Sequence, residues 1–384
     1  MKRGFRVWVL LALSIVLMSG AASAEDKVIK IGYIGALTGD TAVWGQAGLN
    51  GMKLTAQKVN DTGGVLGYKI EVLGQDGKGK PEDSLNALSK LIDEGVIAVV
   101  GTNFSSCSIP MAPIATAKKI PLLATAASDP KVTVDETGKL MEYSFRIGFI
   151  DPFQGRVLAA FAQDKLNAKT AAVLTDIGSD YSYGLSSYFE EEFRKNGGEI
   201  VAMEQGRSGD NDFRAQLSKI KTYKPDVVLI PWIDKDVALI AKQARELGIE
   251  AVFLGGDGWD NQDMISMAGN SLEGCYYTSQ PSFGREVTRP YYEEYLKAFN
   301  NLKPETEALF GHDAVAWIVD ALNRAGKADP VALKDALENT QGFEGLMGAM
   351  NIDKATHNPI KPCSVMTIKD GKIEYVGDFM PKGF

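Results

Sequence analysis

The chain has 384 residues, 41 basic and 49 acidic, for a formal net charge of −8. An acidic chain without basic blocks is a poor binder of nucleic acid or anionic membranes, which sets those partners aside. Cys107, Cys275 and Cys363 are odd in number and widely spaced, so they make neither a disulfide framework nor a metal-ligand pattern, and at most one bridge could form among them.

Lys2, Arg3 and Arg6 precede an apolar run over 7–18, and Ala22-Ser-Ala24 offers a small-residue cleavage site. This is the pattern of a secretory signal peptide over 1–24, cleaved after Ala24, and it predicts an exported protein located in the periplasm. The apolar run is too short for a comfortable membrane span. The remainder is too long for one small core and is expected to form two domains.

A strand is predicted over 29–35, then a helix over 46–60 with Leu49, Met52, Ala56 and Val59 on one face. Asp61-Thr-Gly-Gly stops that helix. A strand over 69–74 follows, then a helix over 81–93 opening on Pro81. A strand over 96–100 runs into Gly101-Thr-Asn-Phe-Ser-Ser, and a helix continues to 117. A strand over 120–124 then opens into Thr125-Ala-Ala-Ser-Asp. This alternation of strand and helix predicts one parallel sheet with helices on its faces.

A second series starts near 150. Helices are expected over 153–165, 183–195, 213–223 and 234–247, alternating with strands over 170–176, 200–204, 225–231 and 251–255. A strand over 276–279 leads into helices over 286–300, 305–325 and 330–339. The tail reads as strands and turns, with Lys369-Asp-Gly-Lys as a hairpin signal. Too few strands remain for a third sheet domain. The chain is therefore expected to recross between two lobes, with hinges near 148–150 and 279.

Both strands of the first series that end near 100 and 124 open into hydroxyl-rich loops. Side by side at the carboxyl edge of a parallel sheet, such loops sit where open α/β sheets bind ligands. Free N–H groups and serine hydroxyls at helix starts suit a carboxylate. Ser105 and Ser128 read equally as helix or turn caps.

Catalytic patterns are weak. Gly74-Gln-Asp-Gly-Lys-Gly-Lys80 misses a phosphate-binding loop because Pro81 stands where Ser or Thr is needed. The glycines after the first strand lack the dinucleotide order. His312 lies in an apolar helical pattern, His357 lies in a turn, and neither has a recognisable nucleophile motif. No metal-ligand cluster is read, no cofactor is expected, and Glu190-Glu-Glu192 reads as a solvated helix face that could also help dock a permease.

Taken together, IGYIGALTGDTAVWGQAGLNGMKLT, KVNDTGGVLGYKIEV, VVGTNFSSCSIPMAPIA, PLLATAASDPKVT, DYSYGLSSYFEEEF, GDNDFRAQLSKIK, PDVVLIPW, AKQARELGI and FLGGDGW resemble, in order, the type I periplasmic solute-binding proteins. Within them the chain is similar to the Leu/Ile/Val-binding group of ABC uptake systems. The resemblance implies an α/β fold of two Rossmann-like lobes with parallel central sheets and a three-crossover hinge. It assigns 27–148 plus 280–357 to lobe I and 149–279 plus 358–384 to lobe II. It implies a monomer that acts by binding, without enzymatic turnover, and that delivers a small amino acid to a membrane ABC permease.

By position, the resemblance gives the carboxylate grip to Ser105, Ala126, Ala127 and Ser128. Tyr181, in a Tyr-x-x-Gly turn, would cap the ligand, and Asp257, in Gly255-Gly-Asp-Gly, would pair with its ammonium. Asp257 also reads as a turn former between glycines. Trp44, Phe104, Trp232, Asp234, Trp259 and Phe310 are candidates for the cleft, with core packing as the alternative for the aromatics. Phe104 and Gly79 stand where many leucine binders carry a disulfide, so that bridge is absent. Aromatic walls suggest an aliphatic, branched-chain or aromatic amino acid, and Asp234 leaves room for a polar one. The alternatives are a solute that is an aromatic or aliphatic carboxylate or a urea-like amide, a ligand-presenting sensory subunit, and a secreted hydrolase.

Overall fold

The computed structural model describes residues 27–280, 283–361 and 363–379. The expected signal peptide lies outside the described residues. Fifteen strands are found among the described residues: β1 (Val28–Gly35), β2 (Lys69–Asp76), β3 (Ala98–Val100), β4 (Leu122–Ala124), β5 (Ser144–Arg146), β6 (Thr170–Asp176), β7 (Glu199–Gly206), β8 (Val227–Leu229), β9 (Val252–Gly255), β10 (Tyr276–Ser279), β11 (Phe343–Gly345), β12 (Gly348–Ile352), β13 (Pro359–Ile360), β14 (Cys363–Lys369) and β15 (Lys372–Phe379). The helices are α1 (Ala42–Asp61), α2 (Pro81–Asp93), α3 (Ser105–Lys118), α4 (Asp151–Asp164), α5 (Asp180–Lys195), α6 (Arg214–Tyr223), α7 (Asp234–Glu246), α8 (Gln262–Ala268), α9 (Arg289–Ala298), α10 (Glu307–Ala325) and α11 (Pro330–Glu338).

Two sheets organise the fold. The first runs β2-β1-β3-β4-β5, every pair parallel. In β1, Ile29, Ile31 and Tyr33 enter one core while Ile34 enters the core on the other face. A strand buried on both faces needs apolar residues in both phases, which is what a central parallel strand carries. The second sheet runs β15-β14-β10-β9-β8-β6-β7. It is parallel from β7 through β10, and β14 and β15 add antiparallel to its edge. The turn joining β14 to β15 holds Asp370 at φ 50° and Gly371 at φ 68°, the left-handed pair that the Asp-Gly hairpin signal requires.

The chain leaves the first sheet after β5, leaves the second after β10, and returns to the second at β14. Between the last two passages α10 packs along α1. A Cβ on Gly51 would lie 2.2 Å from the carbonyl oxygen of Ala308, and one on Gly311 would lie 2.2 Å from that of Gly48. Only glycine allows these helices to approach so closely. The three passages are bonded to one another: Lys361 Nζ donates to the Ile147 carbonyl at 2.7 Å, Arg146 Nε donates to Asn358 Oδ1 at 3.0 Å, and the Phe149 N–H donates to Gln280 Oε1 at 3.4 Å.

Some expectations shift. β3 and β4 are shorter than their apolar runs, and β5 was not anticipated. Its Ser144 and Arg146 are buried and polar, an edge-strand composition that carries no hydrophobic alternation. The region 343–360 forms a separate three-stranded sheet, β11-β12-β13. Cys107, Cys275 and Cys363 are all buried free thiols. His312 Nδ1 contacts Asp313 Oδ1 at 2.8 Å, and His357 stacks on Phe145 with centroids 4.2 Å apart.

Candidate functional site

Strand order reverses at β1/β3 in the first sheet and at β6/β8 in the second. Loops at the carboxyl ends of strands diverge at such points and leave a crevice. A cavity of about 600 Å³ opens there, lined by residues that follow β1, β3 and β4 on one side and β6, β8 and β9 on the other. Two ion pairs span the lobes around it. Lys131 Nζ meets Asp180 Oδ1 at 3.0 Å, and Lys235 pairs with Asp40.

On the first wall α3 begins at Ser105. The Cys107 and Ser108 N–H groups donate to the Phe104 carbonyl at 3.1 and 3.0 Å, which leaves those of Ser105 and Ser106 without a carbonyl partner among the described residues. Ser105 Oγ accepts from the Asp129 N–H at 3.1 Å, so its own hydrogen remains available for donation. Ser105, Ser106 and Ala126 line the cavity, as do Trp44 and Phe104, whose rings lie tilted with centroids 6.3 Å apart. Gly79, at φ +65°, backs Phe104, and a Cβ there would lie 3.1 Å from the ring.

The opposite wall carries Asp257 and Tyr181. Asp257 Oδ1 accepts from Gln154 Nε2 at 3.2 Å, and its N–H donates to Gln154 Oε1 at 3.3 Å. Gln154 Oε1 also takes the Thr278 hydroxyl at 2.9 Å, which fixes the amide orientation. Asp257 Oδ2 is shielded from solvent and no described residue meets it at full hydrogen-bond geometry, although the Gln280 and Tyr181 side chains lie close enough to favour its charged form. Burial raises this carboxyl from 3.8 to about 6, opposed by the Gln154, Gln280 and Tyr181 side chains. The Tyr181 hydroxyl accepts the Gly258 N–H at 3.2 Å. A Cβ on Gly256 would fall 2.2 Å from that hydroxyl, so the glycines flanking Asp257 make room for Tyr181.

Glu307, the first residue of α10, also lines the cavity. Asn103 Nδ2 donates to its Oε1 at 3.0 Å, while Oε2 is shielded and unpartnered among the described residues. Burial first, then Asp260 and Glu305, hold this carboxyl well above the usual range. Neither Glu307 nor Gln154 was singled out from the sequence, because each sits at the start of a helix whose pattern does not mark it.

Of the residues expected at the site, the cavity brings together Ser105, Ala126, Tyr181, Asp257, Trp44, Phe104, Trp232 and Asp234. Trp232 is mostly buried. Its Nε1 donates to the Leu174 carbonyl at 2.6 Å and its ring meets Phe213 edge-on, so it serves core and wall together. Asp234 sits at the rim with φ +55°, its carboxyl raised by burial and then by Asp40. Four candidates stand away from the cavity lining. Ala127 packs with Ala124 and Val132, and its carbonyl accepts from Arg146. The Ser128 carbonyl takes the Asp151 N–H at 2.9 Å, and its hydroxyl lies 3.5 Å from Gln154 Nε2. Phe310 belongs to the first lobe's core and Trp259 to the second's, with Trp259 Nε1 donating to the Ile230 carbonyl at 2.9 Å.

A family model described as periplasmic binding protein matches residues 28–372. The chain is 28% identical over 344 residues to the leucine-, isoleucine-, valine-, threonine- and alanine-binding protein of Pseudomonas aeruginosa, covering 89% of this chain and 90% of that one. It is 26% identical over 355 residues to Leu/Ile/Val-binding protein homolog 3 of Brucella melitensis, covering 92% and 95%. Among solved structures it is similar to the leucine-binding protein LivK of Thermotoga maritima, with a TM-score of 0.84, 32% identity, and coverage of 93% and 100%. The branched-chain amino acid transporter substrate-binding protein LivJ of Streptococcus pneumoniae, in complex with isoleucine, also gives a TM-score of 0.84, with 31% identity and coverage of 92% and 100%. With this fold, this crevice and these relatives, the chain belongs to the type I periplasmic binding proteins, alongside the Leu/Ile/Val-binding group.

Proposed function

We propose that the protein captures a small α-amino acid between its lobes and delivers it to an ABC importer. The α-carboxylate takes the Ser105 hydroxyl and the free N–H groups at the start of α3 and at Ala126. The α-ammonium pairs with Asp257, and Tyr181 closes over it. Trp44 and Phe104 flank the side chain. In this reading residues 27–148 and 280–357 form one lobe, 149–279 and 358–384 form the other, and the leader is removed after Ala24 on export to the periplasm. One chain supplies both walls, so a monomer suffices, and no covalent step is involved.

The observation that carries this reading is the Oδ2 of Asp257, a residue of the cavity lining, which lacks a full hydrogen bond among the described residues. A buried carboxylate without a cation bears an uncompensated desolvation cost, and an ammonium removes it. A carboxylate or amide solute lacking a cation leaves that oxygen as it is. Relatives bearing Leu/Ile/Val-binding names support the same class. Ligand energy then shifts an open–closed equilibrium, because only closed lobes offer both ends of the site. Calorimetric screening of the mature chain against amino acids, their deaminated carboxylates and small amides tests this. Equal affinity for an amino acid and its deaminated analogue would remove the ammonium site.

A further inference from the structure

We infer that Glu307 reads the side chain of the solute, and that the captured amino acid carries a hydrogen-bond donor there in place of a purely aliphatic group. The inference rests on the amino-acid reading above and names the class within it.

Two residues lining one cavity each carry a shielded carboxyl oxygen without a hydrogen-bond partner among the described residues, Oδ2 of Asp257 and Oε2 of Glu307. An α-ammonium satisfies the first. The second is a separate demand, made by a different element of the other lobe. Glu307 is held in place for it, since Asn103 Nδ2 fixes Oε1 and Asn103 Oδ1 is in turn met by the Thr125 hydroxyl at 3.4 Å. Oε2 itself is shielded from solvent. The charges that reach Glu307 are the carboxylates of Asp260, Glu305 and Asp257, all of one sign. Trp44, another residue of the lining, carries a shielded donor, Nε1, without a partner among the described residues.

An aliphatic solute would cover these groups and return no hydrogen bond, leaving their desolvation uncompensated. An ammonium or guanidinium on the side chain supplies the donor that the ionised carboxyl lacks, and an amide or hydroxyl can meet the carboxyl whether it is ionised or protonated. A site built around such a bond discriminates strongly against an analogue that lacks it. Glu307 thus acts on selectivity, while the grip on the α-carboxylate and α-ammonium is left to Ser105 and Asp257.

The test is titration calorimetry of the mature protein with leucine, threonine, glutamine, lysine and arginine, repeated on Glu307→Leu and on the more conservative Glu307→Gln. At least one donor-bearing amino acid is expected to bind the wild type about ten-fold tighter than leucine or better, as one good hydrogen bond allows. Glu307→Leu should lose that preference and gain leucine affinity. Glu307→Gln must leave its oxygen on Asn103 Nδ2 and turn its NH2 toward the solute, so it should keep a side-chain amide or hydroxyl, which can accept, and lose an ammonium or guanidinium, and it stands in if the leucine variant does not fold. Tighter binding of leucine than of every donor-bearing amino acid, unchanged in either variant, overturns the role of Glu307 and leaves the amino-acid reading intact. Failure of every amino acid to bind the wild type overturns both.

Discussion

Asp257→Asn should weaken ligand binding and strengthen the empty protein, two effects of opposite sign from one substitution. Burial raises this carboxyl from 3.8 to about 6, and at about 1.36 kcal/mol per unit this makes its ionised form cost roughly 3 kcal/mol in the ligand-free fold at neutral pH. The sign follows from proton binding. Between pH 3.8 and about 6 the folded chain holds a proton that the unfolded chain has released, so the residue's contribution to stability falls as pH rises. The penalty is absent below that window and complete above it. Asparagine removes it and can still accept from Gln154 Nε2. Thermal unfolding of the ligand-free proteins should therefore give matched stabilities near pH 3.8 and a more stable variant above about 6. The substitution also lifts the Asp257 charge from Asp151 and Glu307, whose carboxyls it helps to raise, and this adds to the variant's stability in the same direction. Ligand affinity moves the other way, because a charge-assisted bond contributes about 1.5–3 kcal/mol, a loss of about ten-fold or more in affinity. Wild-type affinity should also fall as pH drops below about 6, where Asp257 takes up a proton. A variant that binds like wild type and is less stable at every pH would refute the argument, since that is how a purely structural aspartate behaves.

Ser105→Ala should lower affinity and stability together, because it removes a carboxylate donor and also strands the Asp129 N–H. About 1–3 kcal/mol of stability is expected to go, read by urea denaturation beside calorimetry. Lys131→Met breaks the interlobe pair with Asp180. Lys131 also meets Asp129 at 3.7 Å. As a partly exposed pair with Asp180 it contributes at most about 1 kcal/mol, so small-angle scattering should show a modest shift toward open lobes in the variant, which high salt should reproduce in the wild type. Lys361 is buried at the crossovers and its ammonium is pushed down to about 8. Between about 8 and 10.5 the unfolded chain binds a proton that the folded chain has released, so wild type should gain on Lys361→Met as pH rises, by roughly 3 kcal/mol across that window. A constant difference between the two unfolding curves would contradict it.

Much of this protein is legible from local pattern. Pro81 starts α2 and Asp61-Thr-Gly-Gly ends α1. The Asp370-Gly371 hairpin forms as read. These features depend on backbone preference and on periodicity within a few residues, which the sequence states directly. The two-sheet α/β architecture follows from the alternation of such segments, and the position of Ser105 follows from its being the first residue after a strand–loop signal. The tertiary structure alone decided which side chains face the cavity. Trp232 and Trp259 are alike in sequence, each following a second-lobe strand, yet one forms wall and the other only core. Phe310 turns into the first core, while Glu307 three residues earlier faces the cavity. The choice belongs to contacts made across long sequence distances: α10 against α1, Asn103 against Glu307, and Gln154 against Asp257. A one-dimensional pattern gives the period of a helix and its apolar face, and the direction of a polar residue at a helix start is set by whatever the fold brings opposite it.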